Sequence, residues 1–333
     1  MRFAFTDDQQ AFADGLADLL TGECSPAVVR AAWDDGTGHA PDLWARLADL
    51  GLFSLLAPEA DGGMGAGMVD AVLLVERLGA AAVPGPVVEQ LVAAPLLGGT
   101  DHAAGVLAGT TIVTATPTLD GPVPHGAVAD VVVTDGAVLT GAAATSVPGL
   151  DGGRQLATFA GGTTTPLDTG DLADRMALAV AAQLVGVAAS MVALAADYAR
   201  DRHQFGKPIG TFQAVKHHLA DALGAVEFAR APVAQAAWSL DAGLPTAPAD
   251  VSVARVLAAT GAEQAARSAL QVHGAIGYTW ECDLHLWMKK VWALQAAWGD
   301  TSFHRRRVGR WLLTGDEPVT PDGDTLPSFE RLR

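Results

Sequence analysis

The sequence has few cysteines and few positive charges. Its 333 residues include only two cysteines, Cys24 and Cys282, which lie far apart and match no metal-ligand spacing. No disulfide framework or metal site is therefore predicted, and two free thiols are the simplest interpretation. Lysine and arginine total 21 against 37 acidic residues, a formal net charge of −16. Because no basic stripe is present to neutralise phosphates, the sequence predicts no nucleic-acid partner.

Long hydrophobic runs are also missing. Residues 1–16, MRFAFTDDQQAFADGL, carry acids where a signal peptide would have an apolar run. No segment reaches about 18 consecutive apolar residues free of polar residues and turn formers. We therefore expect no membrane partner and a cytoplasmic location, where both thiols would stay reduced.

The abundant residues are small and apolar. Half of the sequence is hydrophobic, while aromatic residues make up only 6%. Alanine, valine, leucine and glycine supply most of the apolar count, which favours closely packed helices over a sheet-dominated fold. The length suits one large domain or two to three smaller ones.

Residues 1–106 form the first predicted domain, which is helical. Thr6 is placed to cap a helix that has acids in its first turn and apolar residues at helical spacing. PDLWARLADLGL begins at Pro41 and stops at Gly51, the usual punctuation of a short helix. A further helix, MVDAVLLVERLGA, ends at Gly79.

Residues 107–168 form a predicted small β domain. TTIVTATPTL and ADVVVTDGAVLTG are rich in β-branched residues, and Asp135-Gly136 is a hairpin-turn signal. The segment is short for an independent fold, so we expect it to pack on the helical parts.

Residues 169–333 return to helical periodicity. Four long helices are expected, beginning near Asp171, Thr211, Ala249 and Asp283, with the last running to about Leu313. Short links between long helices predict an antiparallel four-helix bundle. The last residues, GDEPVTPDGDTLPSFERLR, are polar and expected to be loosely held. The predicted fold class is mainly α with a small β domain.

The first helix junction of the bundle, DRHQFGKPIGTFQAVKHHLAD, concentrates polar and turn-forming residues. Arg202 ends one helix, Phe205 and Gly206 form a turn, Pro208 prevents the helix from continuing, and Thr211 is a candidate cap for the next helix. A cation at a helix end is often only a cap, because it favours the negative end of the helix dipole.

A second junction, QVHGAIGYTWE, offers an alternative to that interpretation. It places Gln271 ahead of Gly274, Ala275 and Gly277. Glycine lets backbone amides approach a ligand closely, although it also serves as an ordinary helix cap. In an antiparallel bundle the first and third helices end on the same side, so we expect both junctions to face one region.

Both junctions resemble the C-terminal domain of the acyl-CoA dehydrogenase family of flavoproteins. LWARLADLGLFSLLAPEADGGMG also resembles the family's N-terminal turn, and the resemblance covers essentially the whole chain. The matching junction residues are Arg202, Phe205, Gly206, Pro208, Ile209, Gln213, Lys216, Leu219, Ala220, Asp221, Gln271, His273, Gly274, Gly277, Tyr278 and Glu281.

The resemblance implies FAD bound at a subunit interface, an acyl-CoA substrate, and electron-transfer flavoprotein or a similar acceptor. An arginine and amides suit a diphosphate and a ribose. Ala275 stands where the family commonly has glycine. The residues that would contact the diphosphate and adenosine portion of a neighbouring subunit's FAD are Arg202, Gln204, Phe205, Ile209, Gln213, Gln271, Gly274 and Ala275.

The family reaction needs a carboxylate base against the α carbon of the thioester. Gly299 in WGDTSF occupies one family position for that glutamate, with Thr301 retaining a threonine. The nearest match to the other position is Asp174, which is a candidate base but also an ordinary acid in the first turn of a helix. Glu281 is interpreted as structural.

The middle segment departs from the family as well. It lacks the serine-rich loop and the aromatic residue expected beside the flavin ring, and no tryptophan lies between Trp44 and Trp238. Three readings stay open: a self-sufficient homotetrameric dehydrogenase with Asp174 as base, a non-catalytic helical scaffold, or one subunit of an α2β2 heterotetramer with a longer homologue. The last resembles actinobacterial steroid-degrading dehydrogenases, whose substrates are CoA esters derived from the steroid side chain or rings. Arg305–Arg307 are candidates for holding CoA.

Overall fold

The computed structural model describes residues 4–314. The N-terminal part is helical, as predicted. Its helices are α1 (Asp7–Glu23), α2 (Pro26–Asp34), α3 (Pro41–Asp49), α4 (Met68–Ala80), α5 (Val87–Ala93) and α6 (Ala103–Leu107).

The helix ends in this part follow the sequence signals. The Thr6 hydroxyl accepts a hydrogen bond from the backbone of Gln9, whose side chain accepts one from the Thr6 amide, so the predicted cap is a full capping box. α3 begins at Pro41, and Gly51 follows it with φ of +82°, a conformation that favours glycine.

α4 is attached to the C-terminal bundle at both of its ends. Asp241 accepts hydrogen bonds from the first two amides of α4, at 2.8 Å from Met68 and 2.9 Å from Val69. Near the other end, a Cβ on Gly79 would lie 2.3 Å from the Gln183 carbonyl oxygen, and one on Gly186 would lie 1.9 Å from that of Glu76. α4 and the bundle helix Leu172–Asp201 therefore touch backbone to backbone through these two glycines.

The middle part contains two small sheets. The strands are β1 (Val113–Ala115), β2 (Val123–Pro124), β3 (Val131–Thr134), β4 (Ala137–Thr140), β5 (Ala143–Val147), β6 (Leu156–Ala160) and β7 (Thr163–Pro166). A four-stranded sheet has the order β1-β3-β4-β7, with β1 and β3 parallel and the other pairs antiparallel, and a three-stranded antiparallel sheet has the order β2-β6-β5. The predicted hairpin is confirmed, because Thr134 pairs with Ala137 across Asp135-Gly136.

The C-terminal part is a bundle of long helices with alanine-rich contacts. A two-stranded hairpin, β8 (His203–Gln204) and β9 (Lys207–Pro208), separates the first two helices. Phe212 rather than Thr211 is the N-cap residue of the second helix, and the Thr211 hydroxyl donates to the Pro208 carbonyl instead. The helices are α7 (Leu172–Asp201), α8 (Gln213–Asp241), α9 (Ala247–His273), α10 (Leu284–Gln295) and α11 (Thr301–Thr314).

The predicted single helix from Asp283 to Leu313 is wrong. The chain breaks between α10 and α11, where Trp298 and Gly299 have φ of +52° and +93°. Fully buried Arg255 stabilises the break, because its guanidinium donates to the carbonyls of Leu294, Gln295 and Ala297. These are carbonyls that a continuous helix would have bonded internally.

α7 is long and apolar enough to cross a membrane by length and composition alone. However, 72% of its most apolar window is buried inside the protein, which is typical of a core helix. The predicted loose C-terminal segment lies outside the described residues.

Candidate functional site

The two helix junctions lie side by side at one end of the bundle. Tyr198, in the last turn of α7, stacks on His273 at the end of α9, with ring centroids 4.5 Å apart and planes 19° apart. The His273 ring is fixed in turn by a 2.8 Å contact between its Nδ1 and the Ala269 carbonyl. The structure therefore places the end of α7 beside the end of α9, as the bundle topology predicted for the two junctions.

The first junction presents an aromatic side chain to solvent. Phe205 sits at the tip of the β8–β9 hairpin with φ of +54°, and 91% of its surface is exposed. A non-glycine residue in this backbone region is uncommon, and an exposed aromatic at such a position indicates a functional constraint. The hairpin is held to α7 by a 2.8 Å hydrogen bond from the Ile209 amide to the Arg202 carbonyl.

The second junction is a short 3-10 turn, Gly274–Tyr278, after α9. Gly274 has φ of +64° and ψ of −139°, a conformation almost confined to glycine. Ala275 is exposed, and a Cβ there leaves the turn intact. Gly277 is buried, and a Cβ added to it would lie 3.0 Å from His273.

The polar side chains of this end are free to bind a ligand. Arg202, Gln204, Gln213 and Gln271 are exposed, and across residues 4–314 none of their side chains has a hydrogen-bond or ion-pair partner. One guanidinium and three amides supply donors for a diphosphate and ribose, so the residues present fit the adenosine half of FAD.

Asp174 does not belong to this end. It lies in the first turn of α7, about 42 Å of helix away from Arg202. Arg307 of α11 donates two hydrogen bonds to its carboxylate, the Nη2–Oδ2 one at 2.9 Å, and both residues are buried. The assignment of Asp174 as base stays a prediction, and this pairing favours the structural alternative.

A cavity of about 770 Å³ lies near that opposite end, between the middle sheets and the α10–α11 break. Gly299 lines it, and a Cβ there would lie 2.6 Å from the Phe303 ring and 2.9 Å from His304 Nε2. Because its φ is also positive, this position accommodates only glycine. Other lining residues include Thr116, Asp151, Trp292, Trp298 and Arg306.

Asp300 is a carboxylate that the sequence interpretation missed. It lines the cavity directly after Gly299, and its Oδ1 accepts a 2.6 Å hydrogen bond from the amide of Phe303 in the first turn of α11. An Asp-Thr pair before a helical run is a capping signal, which could have revealed it. The three arginines that are candidates for holding CoA differ in exposure: Arg305 and Arg306 face solvent, whereas Arg307 is buried.

A buried polar group behind the cavity was missed as well. Glu89 of α5 lies 3.6 Å from His125 Nε2 and 3.8 Å from Arg154. Burial raises the pKa of Glu89, with Arg154 acting in the opposite direction, and burial lowers the pKa of His125. A glutamate inside the apolar run VVEQLV was the available signal, because buried carboxylates are rarely left unpaired.

Comparison with known proteins decides the family. The acyl-CoA dehydrogenase N-terminal domain matches residues 6–103, and the acyl-CoA dehydrogenase C-terminal domain matches residues 171–313. The chain is 36% identical over 296 residues to the acyl-CoA dehydrogenase IpdE2 of Mycobacterium tuberculosis, an alignment that covers 86% of this chain and 91% of that protein.

The chain belongs to the acyl-CoA dehydrogenase family.

Solved structures of this family have the same fold. One is a chain of the ChsE4-ChsE5 complex of Mycobacterium tuberculosis, with a TM-score of 0.83, 25% identity, and coverage of 96% of this chain and 100% of that one. Another is the Tcur3481-Tcur3483 steroid acyl-CoA dehydrogenase G363A variant, with a TM-score of 0.85, 24% identity, and coverage of 93% and 98%.

Family membership confirms three of the predictions: the mainly helical acyl-CoA dehydrogenase fold, an oxidoreductase acting on CH–CH bonds, and FAD as the cofactor. The individual FAD-contacting residues, the base and the domain boundaries at 106 and 168 stay predictions. Among residues 4–314, no cluster of histidine, cysteine or carboxylate side chains could hold a metal ion.

Proposed function

We propose that this acyl-CoA dehydrogenase chain is the shorter subunit of an α2β2 heterotetramer and completes the FAD site of a longer homologue. The observation that carries the proposal is the contrast between the two ends of the bundle. At one end, Arg202, Gln213 and Gln271 are exposed without partners in the described part of the chain. At the other, the Asp174 carboxylate is buried against Arg307, and Gly299 leaves no room for a side chain.

Each residue of the exposed end has a task in such a site. Arg202 would pair with the diphosphate, the glutamine amides would bond to the ribose and adenine, and Phe205 would offer an aromatic face. Gly274 would let backbone amides come close to the diphosphate. Bound FAD would supply the hydride acceptor, and the longer chain would supply the carboxylate that takes the α proton.

The proposed substrate class is supported by the relatives. The reaction would be α,β-dehydrogenation of an acyl-CoA thioester, with a steroid-derived CoA ester as the acyl group and electron-transfer flavoprotein or a similar protein as acceptor. Support comes from the similarity to IpdE2 and from two neighbouring structures that are two-component complexes, one of them described as a steroid enzyme.

The composition of the assembly tests the proposal. The chain is expressed alone and together with a longer acyl-CoA dehydrogenase homologue, and the particle mass and the flavin per chain are measured. We expect a heterotetramer with one FAD for every two chains and flavin absorbance at ~450 nm, because the exposed end of each shorter chain completes one site on its partner.

A homotetramer of this chain alone, with one FAD per subunit and acyl-CoA turnover, would contradict the heteromer. A colourless assembly without turnover, formed even with the longer homologue present, would instead support the scaffold alternative.

A further inference from the structure

An aromatic cluster connects the chain that follows the turn Gly274–Tyr278 to the N-terminal helices. It consists of Trp33 of α2, Trp280, His285 of α10 and Lys289 of α10, and is called the Trp33 cluster below. Trp280 stacks on His285 with ring centroids 4.4 Å apart and planes 16° apart. Trp33 lies 6.3 Å from Trp280 and 5.7 Å from His285. Lys289 Nζ lies over both indoles, at 4.3 Å from Trp280 and 5.2 Å from Trp33.

Arg30 joins this cluster to the chain leaving the turn. Its Nε donates to Asp283 Oδ1 at 2.8 Å, and its Nη2 donates to the Trp280 carbonyl at 2.9 Å. Trp280 is only two residues beyond Tyr278, where the turn ends. Since Arg30 belongs to α2, the exit of the turn is fixed by a helix far away in sequence.

The entry of the turn is fixed separately. His273 immediately precedes Gly274 and stacks on Tyr198, as described above. Between these two supports, the turn itself is mostly exposed. Its position relative to Arg202 therefore depends on the Tyr198–His273 stack at one end and on the Trp33 cluster at the other.

The cluster is not built for stability alone. Trp33 Nε1 is buried, and among the described residues it has no hydrogen-bond partner. Buried polar atoms without partners cost free energy and call for another explanation. Two glycines also make room for the Trp33 ring, because a Cβ on Gly152 would lie 2.5 Å and one on Gly153 3.0 Å from it.

We propose that the Trp33 cluster and Arg30 position the turn Gly274–Tyr278 for contact with FAD. The inference rests on the proposed function, in which this turn reaches a cofactor on the longer subunit. Arg30 and the four cluster residues act as positioning residues, because they hold the turn without touching the cofactor themselves.

The surroundings of His285 favour its neutral form. Burial lowers the pKa of His285, and the neighbouring cations Lys289 and Arg30 lower it further, while Asp283 acts in the opposite direction. Burial also lowers the pKa of Lys289, which Asp151 partly offsets. The His285 ring therefore stacks on Trp280 without adding a third cation to the cluster.

The experiment uses the assembly with the longer homologue and measures the FAD dissociation constant by flavin fluorescence at pH about 8. We expect Arg30→Gln to weaken FAD binding about three- to thirtyfold at pH 8, the usual range for a residue acting through another. Arg30→Lys should recover part of the loss, since a lysine can still pair with Asp283. His285→Gln, which removes the ring stacked on Trp280, should also weaken FAD binding at pH 8, and His285→Phe, which keeps an aromatic ring there, should recover part of the loss.

The control is Arg77→Gln, which removes another inter-helix pair of the N-terminal part, with Asp14 at 3.5 Å. Unchanged FAD affinity in Arg30→Gln or in His285→Gln would overturn the inference. If Arg30→Gln fails to assemble, the FAD affinities of His285→Gln and His285→Phe decide. Failure of the proposed function would give a different result. The wild-type assembly would then lack flavin, or the Arg202→Ala assembly would retain as much flavin as wild type.

Discussion

Arg307 of α11 donates two hydrogen bonds to the carboxylate of Asp174 in the first turn of α7, and both side chains are buried. The residues are 133 positions apart in sequence, so the pair fixes the last helix of the bundle against the first. A carboxylate held in this way is a poor candidate for taking a proton from substrate, because it must first be separated from its cation.

Replacing Asp174 with Asn should cost stability more than turnover. The variant leaves the buried Arg307 cation without an anion, which is expected to lower the free energy of unfolding by about 3 kcal/mol. Turnover per flavin of the assembly, measured with a ferrocenium-type acceptor, should stay within about tenfold of wild type, whereas loss of a catalytic base costs about a hundredfold or more. Asp171→Asn, which removes an exposed pair with Arg175, is the matched control. A loss of several orders of magnitude with flavin retained would make Asp174 the base.

The double variant Arg202→Ala, Gln271→Ala should lose flavin from the assembly. The arginine-to-diphosphate contact alone is worth about 1.5–3 kcal/mol, since one partner is charged. Flavin per chain is measured by absorbance after gel filtration. Arg200→Ala is the control, because Arg200 lies two residues earlier and pairs with Asp197 on its own helix. Equal flavin content in the double variant and in Arg200→Ala would show that the site is assigned wrongly.

His304 should make the fold sensitive to acid. It is fully buried, its Nε2 donates to the Trp298 carbonyl at 3.0 Å, and burial with nearby Arg255 lowers its pKa to about 3. The unfolded chain binds a proton below pH about 6.5 that the folded chain does not, so stability is full above that pH and falls toward pH 3 at about 1.4 kcal/mol per unit.

Urea unfolding of wild type and His304→Gln at pH 6.5 and pH 4.5 measures this contribution. We expect wild type to lose about 2–3 kcal/mol more than the variant over that interval. Parallel pH dependences in the two proteins would show that another group is responsible for the acid sensitivity.

The glycine contact between α4 and α7 should tolerate no side chain. A Cβ on Gly186 would lie 1.9 Å from the Glu76 carbonyl oxygen, and backbone on both sides prevents easy relief. Gly186→Ala is expected to lower the free energy of unfolding by about 3 kcal/mol. Gly15→Ala in α1, with no atom within 4 Å of its new Cβ, should raise it by about 0.5–1 kcal/mol. Similar thermal midpoints for the two variants would contradict the close contact.

The parts of the fold that sequence predicted are those with local causes. Thr6, Pro41 and Asp135-Gly136 act within a few residues, and the structure confirms the cap, the helix start and the hairpin. The break after α10 was not predictable in this way. It depends on Arg255, which reaches the carbonyls of residues 294–297 from another helix about 40 positions away.

The same contrast between local signals and contacts of distant residues applies to the candidate site. The residues expected to contact FAD were found from two contiguous stretches, and their convergence followed from bundle topology, which the Tyr198–His273 stack bears out. The partner of Asp174, the helix-capping task of Asp300 and the contacts of Arg30 all join separate elements. Such pairings need three-dimensional distances, because spacing along one element says nothing about them.

The cap on α4 also sets an order of events during synthesis. Asp241, which accepts a hydrogen bond from the Met68 amide, lies 173 residues after Met68 in the sequence. At ribosomal rates of about 5–20 residues per second, the N-terminal helices wait roughly 10–35 s for the end of α8 to emerge. Until then the first amides of α4 are open to water and to other chains, so chaperone occupancy on nascent chains should persist until α8 has left the ribosome.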